Sequence, residues 1–482
     1  MVPMSAEAER DAVVVGSGPN GLAAAIALAR AGRSVTVLEA NDTIGGGARS
    51  AELTLPGFTH DICSAIHPLG RASPFFAGLP LAAHGLEWIE PPIAIAHPLD
   101  DGSAALVRRD LEATAAGLGE DGRAYARLIG PIARDWDTLV RELLGPIRIG
   151  APIRHPIAVP RFGLQALQPA TWLARRFRTA RAGALLAGVA AHSMLPIEQP
   201  VTGAFALSLL ASAHAVGWPI PRGGSQQITD ALAAHLTTDL RGEIVTGRRV
   251  ASMSDLPRHR AVLFDVTPRQ LLAIAGPRLR GAYACQLRRY RYGPGTFKLD
   301  LALDGPIPWR NPDVNQAGTV HLGGSADEIA AAQRAVAHGK VSRRPFVILA
   351  QPSRFDPSRA PDGRHTVWAY CHLPAGSTAD MTDAILAQVE RFAPGFRERV
   401  LALHAMGPAA IEAHNANYIG GDINGGAQDL WQLFTRPAWR LDPYSTPDSR
   451  IFICSSSTPP GGGVHGLCGA HAAASALRGV LR

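Results

Sequence analysis

Gly16, Gly18 and Gly21 follow directly on the apolar run Ala12 to Val15 and precede an alanine-rich stretch, Leu22 to Arg30. Glycine at these spacings has three uses. The first lets the chain turn sharply out of a strand, the second lets an anion approach the backbone, and the third lets the next helix pack closely on the strand. Free amides at the helix N-terminus then hold the pyrophosphate of a dinucleotide, with Ser17 and Asn20 in the turn beside it. A second apolar strand, Ser34 to Leu38, ends on Glu39. That carboxylate suits a ribose 2′-hydroxyl and disfavours a 2′-phosphate. The glycine triplet alone is a weak signal; strand, turn, helix, second strand and acid in register make it specific.

The residues after Glu39 separate the dinucleotides. The stretch NDTIGGGARS carries Gly45, Gly46 and Gly47 before Arg49, a second glycine-rich loop where a flavin dinucleotide needs continued backbone contact. Near the far end, Arg450 to Cys454 reads as a buried strand, SSSTPPGGGVHG as a loop, and Leu467 to Leu481 as a small-residue helix. The turn Val464, His465, Gly466 offers amides and a positive dipole end, suited to the N1/C2 oxygen region of a flavin ring, which gains negative charge on reduction. Ile244 to Met253 and Arg260 to Pro268 supply two further strands.

The motifs GSGPNGLAAAIALA, IGGGARSAELTLPGFTHDICSAIHP, GWPIPRGGSQQITDAL and PPGGGVHGLCGAHAA resemble those of the phytoene desaturase-like flavoproteins, including the group of pyridine nucleotide-disulfide oxidoreductase domain-containing protein 2. The resemblance implies a non-covalent FAD at the junction of two domains, with Val250 holding the adenine by its backbone. It also implies a long apolar substrate, dehydrogenated or isomerised beside the flavin. No second strand-associated GxGxxG is present, so a separate NAD(P)H domain is not expected. Electrons would pass to a quinone, dioxygen or another acceptor.

Hydride transfer to a flavin needs no side-chain nucleophile, but removing a proton from the neighbouring carbon can need a base. His67, in the CSAIHP turn, and His465, in the closing loop, are the candidates. His465, Cys468 and His471, with Cys454 nearby, spread too far around a helix for one compact zinc site, so no metal is expected.

These groups need a large scaffold. At 482 residues, 46% hydrophobic and 18% charged, the chain exceeds what one core supports. The expected class is α/β: a Rossmann-type FAD-binding domain of the glutathione reductase and amine oxidase kind, with an inserted α+β substrate domain. Residues 1–75, 215–270 and 435–482 are assigned to the first, 76–214 and 271–434 to the second. The net charge of +7 is carried almost wholly by arginine, since Lys298 and Lys340 are the only lysines. No dense basic stripe interleaved with aromatics points to nucleic acid. Five scattered cysteines without a CxxC pair indicate neither a disulfide framework nor a redox dithiol. Met1 to Arg10 lacks the layout of a secretory signal, and the apolar run ending at Trp218 is too short to span a bilayer. A cytoplasmic enzyme is expected, with peripheral membrane contact through the basic stretch from Trp172 as a minority alternative. The expected partner is an apolar small molecule. Two other functions compete: a flavin-binding interaction protein without turnover, and a flavin amine oxidase, for which Trp431, Phe434 and Trp439 lack a diagnostic spacing. Pro/Gly-rich connectors, such as Gly145 to Pro160, mark turns and insertions.

Overall fold

The computed structural model describes residues 9–145 and 155–482. Most of the Gly145 to Pro160 connector and of the Met1 to Arg10 segment lies outside the described residues.

Two sheets organise the chain. The first is fully parallel and has the spatial order Ile451–Ile453, His259–Phe264, Arg10–Val15, Val35–Leu38, Glu243–Val245. Its strands come from three separated stretches of sequence. Arg10–Val15 and Val35–Leu38 are joined by the helix Pro19–Arg30, the crossover a parallel pair requires. Val13, Val14, Val262 and Leu263 are inaccessible to solvent, as expected of β-branched and aliphatic residues in strands covered on both faces. The closing helix Leu467–Arg478 packs along Pro19–Arg30. Glycine makes the approach close: a β-carbon on Gly469 would stand 1.8 Å from the Asn20 carbonyl oxygen.

The second sheet has seven strands, in the order Val400–Met406, Gly295–Leu303, His365–Leu373, Val347–Ala350, Ala317–Leu322, Ile93–Pro98, Ala104–Val107. Five of its six pairings are antiparallel; Ala317–Leu322 runs parallel to Ile93–Pro98. Residues two apart on a strand share a face, so Thr319 and His321 lie on one side. Ile348 is paired with His321 on one neighbour and with Tyr370 on the other. Helices Ala180–Ala190 and Thr202–Ala215 belong to the apolar layer on this side. Leu299, Val320 and Leu349 face the opposite core, with Ile385 and Phe396.

The apolar run before Trp218 is the largely buried helix Thr202–Ala215. Among the described residues no helix is long and apolar enough to cross a membrane. Ile157, Leu164, Leu167 and Trp172 are exposed, as are Arg175, Arg176 and Arg178.

Candidate active site

One cavity of about 590 Å³ runs from the C-terminal ends of the parallel strands to the face of the seven-stranded sheet. This is where open α/β sheets bind ligands.

At its nucleotide end, Gly16 has φ +104°, a conformation glycine adopts without strain. A β-carbon on Gly21 would stand 2.0 Å from the Gly16 carbonyl oxygen. The second glycine loop touches the first: a β-carbon on Gly46 would lie 3.0 Å from the Gly18 α-carbon. Pro19 has no amide, and that of Gly21 donates to Asp265 Oδ2 (3.0 Å). Gly18 and Asn20 therefore carry the turn amides left to meet a ligand oxygen. Glu39 lies on the wall with its carboxylate fixed by four donors. Ser17 N and Oγ reach Oε2 (2.9 and 2.7 Å), and Asn41 N and Nδ2 reach Oε1 (both 2.9 Å). The Arg248 amide donates to the Glu39 carbonyl (2.7 Å), which brings the segment from Arg248 to Ala251, with Val250, beside the acid; the strand expected from Ile244 to Met253 is confined to Glu243–Val245. Arg49 is buried; its Nε and Nη2 donate to the carbonyls of Gly46 (3.0 Å) and His414 (2.8 Å).

Of the residues expected to contact a dinucleotide, Gly16, Ser17, Gly18, Asn20, Glu39, Gly46, Arg49, Val250 and Val464 line this cavity. Gly21, His465 and Gly466 are not on its wall. Gly21 acts through its packing and its bond to Asp265. Gly466 caps the closing helix at φ +71°. The His465 ring is buried, its Nδ1 accepts from the Leu467 amide (3.1 Å), and its carbonyl accepts from Ser73 Oγ (2.7 Å).

His67 does line the cavity. Its Nε2 is 2.8 Å from Ser225 Oγ, and that hydroxyl donates to the Ser64 carbonyl (2.6 Å). Nε2 therefore carries the hydrogen, and Nδ1 is the acceptor nitrogen. Burial pushes the His67 pKa down to about 4, so the ring is neutral at physiological pH.

The other end of the cavity is apolar and aromatic, with Leu209, Trp218, Ile348, Trp368 and Tyr370 on its wall. Trp218 Nε1 donates to Thr319 Oγ1 (2.8 Å), satisfying the buried indole. His192, Thr319 and the Tyr370 hydroxyl are polar groups among them.

Asp265, Tyr418, Lys298 and His192 are absent from the motif-based expectations. Asp265 ends the strand His259–Phe264 beneath the glycine turn, and burial pushes its pKa up to about 7. Tyr418 fills the space a side chain on Gly47 would need. Lys298 is buried against Asp300, and its ammonium lies 6.0 Å from the centroid of the Trp368 ring. A polar residue ending an apolar run (AVLFD) and a rare lysine within another (FKLDLAL) are the signals that could have marked the first and third.

Residues 14–79 match the NAD(P)-binding Rossmann-like domain family. Pyridine nucleotide-disulfide oxidoreductase domain-containing protein 2 of Rattus norvegicus is 26% identical, over 96% of this chain and 93% of its own length. Hydroxyneurosporene desaturase of Cereibacter sphaeroides is 30% identical over 54% of this chain and 57% of its own. The structure of putrescine oxidase bound to putrescine superposes with a TM-score of 0.60 at 18% identity, covering 97% of this chain and 98% of that one. The relationship inferred from the four motifs thus extends along the chain. Along nearly its whole length the chain is similar to pyridine nucleotide-disulfide oxidoreductase domain-containing protein 2, its first part matches an NAD(P)-binding Rossmann-like domain, and it shares its fold with putrescine oxidase.

Proposed function

We propose that the protein is an FAD-dependent oxidoreductase that dehydrogenates or isomerises a lipophilic small molecule. The observation that carries this reading is the continuity of one cavity, from the glycine turn and Glu39 to an aromatic pocket on the second sheet. A site for NAD(P)H alone would not need the second glycine loop, in which Gly46 meets Gly18 and Gly47 meets Tyr418.

The residues fit FAD. Gly18 and Asn20 would hold the pyrophosphate, Glu39 the ribose, and the backbone at Val250 the adenine. Gly46, Arg49 and Val464 lie farther along the same wall. When bound, the flavin supplies a two-electron acceptor for hydrogen leaving a substrate carbon. The chain supplies the rest. Trp218, Trp368, Tyr370, Leu209 and Ile348 bind the apolar body and exclude water. Neutral His67, with Nε2 tied to Ser225, has Nδ1 free to receive a proton from the adjacent carbon.

The test is anaerobic. Purified protein is expected to show flavin absorbance near ~450 nm that one class of candidate bleaches. The candidates are apolar polyenes and other lipophilic compounds first, amines second. His67→Gln is expected to slow the bleaching by about 10²-fold while leaving flavin content unchanged. Bleaching by polyamines alone would replace the lipophilic substrate with an amine, and a chain that takes up no FAD would refute the reading.

A further inference from the structure

Two imidazoles and a carboxylate meet away from the cavity, beside the core under the parallel sheet. His84 ends the turn Leu81–His84. His235 and Asp239 begin and end a single π turn, His235–Asp239, that follows directly on the helix Gln226–Ala234. Widened turns of this kind recur at functional sites. His84 Nε2 lies 2.8 Å and His235 Nδ1 2.7 Å from the same oxygen, Asp239 Oδ2, and one nitrogen or oxygen of each residue lies within 4.8 Å of the others. His84 and Asp239 are 155 residues apart in sequence, so no motif marks the group. It is separate from the set at His465, Cys468 and His471.

The framework beneath is fixed by packing. Leu81 and Leu86, on either side of His84, share a buried core with Leu232 and Leu236, so the backbone that carries the three side chains does not depend on their polar contacts. A carboxylate only accepts, so in the metal-free chain each ring nitrogen facing Oδ2 carries a hydrogen. Moving that hydrogen to the other nitrogen of its ring leaves two lone pairs and one anionic oxygen converging on a point. Ligand atoms around a tetrahedral ion at 2.0–2.1 Å stand about 3.3 Å apart, so shifts of less than about one ångström admit an ion. Two imidazoles select a transition metal over Mg²⁺ and Ca²⁺, which take oxygen. The side chains of His235 and His84 are 8% and 15% exposed and that of Asp239 40%, so a fourth position beside the carboxylate is open to water.

We propose that His84, His235 and Asp239 bind a divalent transition-metal ion, Zn²⁺ fitting best, through three protein ligands and one water. An open position makes the site exchangeable, unlike a closed structural site with four protein ligands. Filled, it ties the turn Leu81–His84 to the end of the helix Gln226–Ala234; without the ion, the two hydrogen bonds keep the same link. None of the three residues lines the cavity, so the inference stands apart from what the cavity binds.

The test uses the full chain after dialysis against a chelator. Zn²⁺ titrated against a chromophoric indicator is expected to fill one site per chain with micromolar affinity or better. Co²⁺ is expected to give the intense visible bands of a four-coordinate ion. The thermal midpoint is expected to rise with the logarithm of Zn²⁺ concentration, to fall back with EDTA, and to ignore Mg²⁺. His84→Gln and Asp239→Asn each remove one ligand and keep a polar side chain of similar size. Each is expected to weaken Zn²⁺ binding by at least about tenfold and to abolish the cobalt bands. The two positions lie on separate segments, so if far-UV circular dichroism shows one variant unfolded, the other decides. No Zn²⁺ uptake overturns the proposal. Equal uptake by the wild-type chain and a folded variant does so too, because the ion then sits on other side chains. A matching response to Mg²⁺ overturns the imidazole ligands.

Discussion

Asp265 puts a carboxyl where an anion is expected to bind: its Oδ2 accepts from the Gly21 amide and lies 2.9 Å from the point a β-carbon on Gly18 would occupy. Burial raises its folded pKa to about 7, so the unfolded chain gives up this proton first. The group's contribution is greatest below the unfolded value of about 3.9 and is lost as pH rises towards 7. Asp265→Asn keeps the acceptor and removes the charge. It is expected to raise the thermal midpoint at pH 8, by about 1–3 kcal/mol of stability, with the gain shrinking at pH 5. A pH-independent difference would refute this account. Gly21→Ala forces a β-carbon against the Gly16 carbonyl and is expected to cost roughly 3 kcal/mol and abolish dinucleotide retention, checked by denaturant unfolding and visible absorbance. Gly16, Gly18 and Glu39 were legible in the sequence because a turn and the strand after it are local. Asp265 and His192 were not, because each gains its meaning from residues that only the folded chain brings near.

Among the elements, the parallel strands were legible as short aliphatic runs bounded by glycine or an acid, although the first helix begins at Pro19 rather than Leu22. The seven-stranded sheet was not. Gly295–Leu303 and Ala317–Leu322 are buried throughout, so polar residues such as Lys298, Asp300, Thr319 and His321 sit in strands with no clean alternation. The short hairpin Ser50–Glu52 and Thr59–Asp61 also escaped notice, yet it carries a tie between the layers. Asp61 accepts from Arg359 Nη2 (2.9 Å), Ser50 Oγ (2.7 Å) and the Ser225 amide (2.7 Å). Burial pushes the Asp61 pKa up, but the Arg359 guanidinium and the Ser225 amide outweigh it and hold the carboxyl below its usual value. This stability is present above the unfolded pKa and is lost as pH falls through the folded one. Asp61→Asn leaves the Arg359 guanidinium buried without its counter-charge and is expected to cost about 3–5 kcal/mol near neutrality, with the deficit closing in acid. Urea midpoints at pH 7 and pH 3 check it.

At the scale of the molecule, the cavity is walled by both sheets, so anything bound along it favours the state in which they are docked. At a hundred times its dissociation constant, FAD is expected to add about 2.7 kcal/mol to the stability of the folded chain. Calorimetry should then show a midpoint that climbs with the logarithm of FAD concentration, and a midpoint insensitive to FAD would argue against the site.

The parallel sheet also sets an order of events during synthesis. Its central strand, Arg10–Val15, leaves the ribosome some 250 residues before its partner His259–Phe264 and some 440 before the edge strand Ile451–Ile453. At roughly 5–20 residues per second, the helix Pro19–Arg30 waits from about 20 seconds to well over a minute for Leu467–Arg478 to cover its apolar side. Long-range pairing of this kind is slow and leaves sticky surface open. A nascent chain that stops short of Ile451–Ile453 and Leu467–Arg478 should therefore engage chaperones and hold no dinucleotide, however complete its glycine turn.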